Sequence, residues 1–187
     1  TALSAPSRPL SYVEVCGGVG SFSIAMAKKA PTSTCSAYVD VCSAARAVFR
    51  RTHPAVSAYQ SIAEASTSFK YQSLAAGADI AFAGPPCTAF SRAGVQSLAD
   101  SNSTVLFQAA ALMLQHSHKV IVIENVPDLQ HVHGGSVFRK LQDLLSKEYV
   151  VNSCVLDARK HGSVQCRRRL FVVAVRKDIA LLAGEFT

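Results

Sequence analysis

Short apolar runs alternate along the chain with segments whose apolar residues recur at helical spacing. Residues 12–16 read as a buried strand closed by Gly17-Gly18-Val19-Gly20, and helical sequence follows over 21–30. Residues 35–39 predict a second strand ended by Asp40, then a helix that closes near Thr52-His53-Pro54. Residues 80–83 form a strand pattern that runs into Gly84-Pro85-Pro86-Cys87. The stretch 104–115 is rich in Ala and Leu and predicts a helix, and 120–123 is the most apolar strand pattern, meeting Glu124-Asn125. Ser136 is placed as an N-cap before Val137, Phe138, Leu141, Leu144 and Leu145, which fall at helical spacing. Residues 149–156 and 170–175 are the last two strands. Strands separated by helices predict a mostly parallel α/β sheet covered on both faces.

In such a sheet ligands bind beyond the carboxyl ends of the strands, so the residues after each strand carry the chemistry. They are Gly17 to Ser21, Asp40, Gly84 to Cys87, and Glu124-Asn125. Gly18-x-Gly20 permits a tight turn and close approach of backbone to a ligand. Asp40, twenty residues after Gly20, is read either as a structural cap or as an acceptor for ribose hydroxyls. Ser23 stands at the third glycine position of a dinucleotide fingerprint. That shifts the expectation to a nucleoside without a pyrophosphate.

Two prolines stiffen the chain before Cys87, which makes it a candidate nucleophile, although a lone cysteine is most often a small buried hydrophobe. Glu124 leaves a buried strand, where a carboxylate is costly unless paired or at work. Gln165-x-Arg167-x-Arg169 precedes the last strand, and extended geometry puts these three side chains on one face. His116-x-His118 and His131-x-His133 suggest a metal, but residues two apart on a helix do not share a face, and no metal site is expected.

Composition narrows the class. The 187 residues predict one domain, and 49% hydrophobic against 17% charged residues excludes intrinsic disorder. No apolar run approaches the ~18 residues of a membrane span. The start 1–10 is polar with two prolines, so no signal peptide is expected. Six cysteines without a C-x-x-C pair favour a reduced, intracellular protein. The formal charge is +7, and Arg159, Lys160, Arg167, Arg168, Arg169, Arg176 and Lys177 equal it within one stretch free of Asp and Glu. That stretch is either a solvated basic face or a phosphate-binding surface.

Taken in order, these motifs resemble the DNA (cytosine-5) methyltransferase family from about residue 12 to 175. Glu14-Val15-Cys16-Gly17-Gly18-Val19-Gly20 is similar to its first motif, Pro85-Pro86-Cys87 with Phe90-Ser91 to its Pro-Cys motif, Asp100-Ser101 with 104–107 to the next helix motif, Glu124-Asn125-Val126 to its Glu-Asn-Val motif, and Gln165-x-Arg167-x-Arg169 to its Gln-x-Arg-x-Arg motif. The resemblance implies a Rossmann-like fold with a seven-stranded sheet and S-adenosyl-L-methionine as cofactor. It implies cofactor contacts at Glu14, Cys16, Gly18, Val19, Gly20, Asp40, Val41, Ser61, Ile62, Gly84 and Pro86. It implies catalysis by Cys87, Glu124, Arg167 and Arg169, and substrate contacts at Ser91, Asn125 and Gln165. Cys87 would add to C6 of a flipped cytosine, and Glu124 would hold the base at N3 and the amino group. The partner implied is DNA, with RNA and a non-catalytic, DNA-binding homologue as alternatives. The location implied is the nucleus in a eukaryote or the cytoplasm in a bacterium.

The chain departs from the family pattern at Cys16, where Phe is usual, at Ser21, where Gly is usual, at Ser61, where an acid is usual, and at Val164, where Pro is usual. These departures predict weaker cofactor binding. The expectation is a single catalytic-core domain over 1–187, truncated at its ends, whose target-recognition and closing segments come from elsewhere or from a second chain.

Overall fold

A computed structural model of the protein describes residues 8–86 and 101–183. The elements run β1 (Ser11–Val15), α1 (Ser21–Lys29), β2 (Thr34–Val39), α2 (Ser43–Thr52), β3 (Ser57–Tyr59), α3 (Ile62–Thr67), α4 (Phe69–Ala76) and β4 (Ile80–Ala83). They continue with α5 (Ser101–Leu114), β5 (Val120–Asn125), α6 (Ser136–Leu145), β6 (Tyr149–Asp157), β7 (Arg168–Arg176) and α7 (Lys177–Ala183). The seven strands form one sheet in the order β3-β2-β1-β4-β5-β7-β6. The five from β3 to β5 are parallel, while β7 runs antiparallel to both β5 and β6.

Alternation along the strands divides the sheet into two unlike faces. Val13, Val15, Ala37, Val39, Ala81, Ala83, Ile121, Ile123, Leu170 and Val172 point to one side. There they form a continuous core with Ala65, Tyr71, Leu106, Met113, Leu141 and Leu145 of α3 to α6. The opposite side carries rings. Tyr12 meets Phe22 of α1 edge-on at 5.3 Å, Phe22 stacks on Phe82 at 4.4 Å, and Tyr38 stacks on Phe49 of α2 at 3.9 Å. Farther along that side Phe82, Val122, Phe171 and Val173 are only half-buried.

The predicted strands and helices are present, with boundaries moved by one to three residues. Ser136 is the first helical residue of α6 rather than its cap; the N-cap is Gly135, in the left-handed region at φ 78. Four elements had no counterpart in the sequence pattern, namely β3, α3, α4 and the seven-residue α7. β3 has three residues, too few to show a period of two, and α3 and α4 are six and eight residues long. His116 and His118 come closer than helical spacing allows, with ring centroids 5.9 Å apart. Ser117 between them takes a left-handed φ of 47 and folds one ring toward the other. Among the described residues, no group of three or more His, Cys, Asp or Glu side chains gathers as a metal cage.

Candidate functional site

The strand order reverses direction between β1 and β4, the switch point where an open α/β sheet leaves a crevice at its carboxyl edge. A cavity of about 630 Å³ lies there, lined by Cys16, Gly18, Asp40, Val41, Ser61, Ile62, Gly84 and Pro86, with further residues of β2, α2 and α5. These eight are all expected cofactor residues. Asp40 is fixed by backbone donors: the Gly18 N–H reaches Oδ2 at 2.8 Å and the Cys42 N–H reaches Oδ1 at 2.8 Å. Each oxygen keeps a second lone pair for a ligand hydroxyl. Gly18 stands at φ 58 with open space where a Cβ would be, so its backbone is bare toward the cleft. Val41 and Ile62 supply apolar walls. The arrangement suits a sugar beside a flat base, as S-adenosylmethionine requires.

The remaining first-motif residues serve the loop from behind. Glu14, expected to touch cofactor, lines neither this cavity nor its neighbour, because β1 turns its side chain into the protein, where it is fully buried. Its carboxyl accepts the N–H of Phe22 at 3.2 Å and the N–H and hydroxyl of Ser23 at 3.2 and 2.5 Å. It thereby caps α1, whose own N-cap, Gly20, has no side chain to offer. Burial pushes its pKa up to about 7, against the pull of the bonds from Ser23 and Phe22. Gly20 stands at φ 85, and a Cβ there would lie 2.7 Å from Phe49, so it fixes the contact of the loop with α2. Val19 is exposed at the loop tip, away from both cavities. Cys16 holds a left-handed φ of 52, and burial, then Asp40, pushes its thiol up to about 12. It stays protonated and is no nucleophile. Ser61 accepts the Glu64 N–H and caps α3, so one acceptor site of its hydroxyl is committed to structure.

A second cavity, about 560 Å³, adjoins the first and shares Cys16, Gly18 and Gly84 with it. Glu124, Arg167, Arg169, His161, Phe22 and Phe82 are among its other lining residues. Arg169 Nε lies 2.9 Å from Glu124 Oε1, and Arg167 reaches the same oxygen at 3.6 Å. The antiparallel direction of β7 makes this possible. Its first residues lie beside the last of β5, with Glu124 opposite Phe171, so both arginines reach the carboxyl edge. A parallel β7 would have sent them to the other edge.

Two expected substrate residues lie elsewhere. Asn125 is buried, its amide donating to the Pro85 carbonyl at 3.3 Å and accepting from the Val126 N–H at 2.9 Å. It therefore holds the Pro-Pro segment in place rather than facing a ligand. Gln165 is exposed and lines neither cavity, because the chain does not become a strand until Arg168. Cys87 and Ser91 lie outside the described residues. Phe22, Phe82, Leu156 and His161 line the second cavity without having been singled out in the sequence. Of these, only Phe22 carries a sequence signal that could have found it, an aromatic just after the glycine loop.

The basic stretch is partly neutralised. Arg159 pairs with Asp157 at 2.8 Å, Arg176 with Asp178 at 2.7 Å, and Arg167 and Arg169 with Glu124. Lys160 and Arg168 are exposed.

Comparison with known proteins agrees with this geometry. The profile of the C-5 cytosine-specific DNA methylases matches residues 10–185. The type II methyltransferase M.BspRI of Lysinibacillus sphaericus is 33% identical over 103 residues, 54% of this chain and 24% of that protein. The type II methyltransferase M.HhaI of Haemophilus parahaemolyticus is 30% identical over 110 residues, 58% of this chain and 34% of that protein. Among solved structures, the Entamoeba histolytica methyltransferase EhMeth superposes with a TM-score of 0.74 at 18% identity, over 97% of this chain and 56% of its own. The S. pombe Dnmt2 methyltransferase gives 0.71 at 16%, over 89% and 51%. The chain thus spans about half the length of these structures and aligns with about a quarter to a third of these curated relatives. With its profile matched over nearly its whole length, the chain belongs to the C-5 cytosine-specific DNA methylase family.

Proposed function

We propose that this chain is the catalytic core of an S-adenosylmethionine-dependent methyltransferase acting on C5 of cytosine in DNA. One observation carries the reading: the clamp of Glu124 by Arg169 and Arg167 opens on a cavity that shares Cys16, Gly18 and Gly84 with the Asp40 cleft. A donor held in one cavity and a base held in the other meet across that neck.

S-adenosylmethionine supplies an electrophilic methyl group when bound. Asp40 would hold the ribose, with room left beside it by the missing side chain of Gly18, and Val41, Ile62 and Pro86 would enclose the base. Glu124 holds the flipped cytosine at N3 and the 4-amino group, while Arg169, braced against Glu124, meets the O2 edge. A base must leave the helix to reach such a pocket. The Cys87 thiolate adds to C6, which raises electron density at C5; after methylation water takes the C5 proton, the C5–C6 double bond re-forms and Cys87 leaves as thiolate. Asn125 holds Pro85 through its amide. Lys160, exposed two residues past the cavity-lining Ala158, is a candidate for phosphates along the strand.

The test is covalent trapping. Incubated with S-adenosylmethionine and duplex DNA carrying 5-fluorocytosine, the protein forms a denaturation-resistant adduct that Cys87→Ser abolishes. Cofactor binding with no Cys87-dependent adduct on DNA overturns the reading. An adduct formed only on fluorocytosine RNA moves the substrate to RNA.

A further inference from the structure

The sheet has two edges, and they are unlike. β3 ends one of them after three residues. β6 ends the other with nine, Tyr149-Val-Val-Asn-Ser-Cys-Val-Leu-Asp157, paired with β7 without a bulge from Tyr149↔Arg176 to Asp157↔Arg168. Sheet edges that stay unpaired are normally short, bulged, or broken by Pro or Lys. Within β6 none of these devices occurs.

The direction of its outer hydrogen-bonding groups follows from the ladder. The Ala158 N–H donates to the Arg167 carbonyl and the Lys177 N–H to the Glu148 carbonyl, so even-numbered residues of β6 bond to β7. Tyr149, Val151, Ser153, Val155 and Asp157 therefore turn their backbone groups outward. Their side chains lie on the covered face, where Val151 and Val155 pack against the core. The even side chains Val150, Asn152, Cys154 and Leu156 are exposed on the other face.

We propose that β6 pairs antiparallel with β6 of a second copy about a two-fold axis at Ser153. The strand is self-complementary in that register. Ser153 bonds to its symmetry mate, Val151 to Val155, and Tyr149 to Asp157, and every one of these residues is odd-numbered, with its amide directed outward. On the exposed face Val150 stands against Leu156, apolar on apolar, and Asn152 against Cys154. At each end Glu148 of one copy lies diagonal to Lys160 of the other, and Lys147 falls opposite Arg159, whose charge its own Asp157 offsets. An interface that uses one surface on both subunits closes as a two-fold dimer. The result is one fourteen-stranded sheet with a cofactor cleft midway along each half. The pairing is independent of the methyltransferase reading.

Sedimentation of the full chain from micromolar to near-millimolar concentration shows a reversible monomer–dimer equilibrium. Ser153→Pro removes an outward N–H and no bond to β7. It weakens association by roughly tenfold or more through loss of the two bonds at the axis. Asn152→Cys supplies a second measurement that leaves the ladder intact. Residues 152 and 154 face each other in a non-hydrogen-bonded pair, with Cβ atoms ~5 Å apart, so mild oxidation links the introduced thiol of one copy to Cys154 of the other. The added Cys154→Ser change prevents the link. A chain that stays monomeric throughout, a dimer indifferent to Ser153→Pro, or a crosslink that does not need Cys154 overturns the proposal.

Discussion

Replacing Glu14 by Gln tests how the glycine loop is held. Glu14 is fully buried and accepts from the Phe22 N–H and from both donors of Ser23. Burial raises its pKa from 4.5 to about 7. The folded protein thus keeps a proton that the unfolded chain loses near pH 4.5. Stability from this group is complete below that pH and is lost as pH rises through 7. A shift of this size corresponds to ~3 kcal/mol between pH 4.5 and 8. Glutamine cannot titrate, so the loss disappears. Its oxygen still accepts from Phe22, and its amide donates to the Ser23 hydroxyl, but the Ser23 N–H loses its acceptor, at a cost of ~1–3 kcal/mol.

The two effects have different pH signatures. Near pH 5 the wild type is the more stable, by the cost of the orphaned N–H. Between pH 5 and 8 the variant gains on it by ~2–3 kcal/mol. Urea unfolding of both proteins at each pH measures the gap, and subtraction cancels every other titrating group. A gap that does not change with pH refutes the placement of a neutral carboxyl under α1. A wild type that gains on the variant as pH rises would mean an ionised carboxylate favoured by the helix N-terminus.

Other expectations follow from single contacts. Gly20→Ala puts a Cβ 2.7 Å from Phe49 in a left-handed backbone, whereas Gly18→Ala meets nothing within 4 Å. Urea unfolding should show at least ~2 kcal/mol lost for the first and ~1 kcal/mol for the second. Asp79 is almost fully buried, and burial pushes its pKa up, but bonds from Ser11 and Lys119 outweigh this and hold it low. Asp79→Asn should cost ~2–3 kcal/mol at pH 7, a deficit that shrinks as acid protonates the wild-type carboxylate. His118 is buried and kept neutral by burial, so thermal midpoints should fall below pH 6.5 and fall less in His118→Gln. Arg169→Ala should reduce fluorocytosine trapping more than Arg167→Ala, because Arg169 is nearer to Glu124 and less exposed.

The legible part of the fold was its periodic part. Strands of four or more apolar residues stand out because burial on both faces leaves no polar alternation to confuse them. β3 did not, because three residues cannot display a period. The site divided in the same way. Asp40, Gly84 and Glu124 were found because the carboxyl ends of strands are where ligands sit, and that rule needs only a strand boundary, whereas Ser61, after the unpredicted β3, came only from the family resemblance. Glu14 and Asn125 share those boundaries yet turn inward. Direction depends on strand parity and on which partners wait on the inner side, the Phe22 and Ser23 N–H donors for one and the Pro85 carbonyl acceptor for the other.

The arginines show why direction mattered more than position. Gln165, Arg167 and Arg169 alternate in sequence, and alternation predicts a common face only inside a strand. β7 starts at Arg168, so Gln165 escapes the rule while Arg169 obeys it and Arg167 bends in from the loop. What brings both guanidiniums to Glu124 is the reversal of one strand. A sheet of wholly parallel strands places only strand ends at its functional edge; inserting β7 antiparallel between β5 and β6 adds a strand beginning to that edge. The same insertion turns β6 into a long antiparallel edge strand whose outer amides are all odd-numbered. One topological choice therefore delivers positive charge to the pocket and leaves a self-complementary edge at the other side of the hairpin.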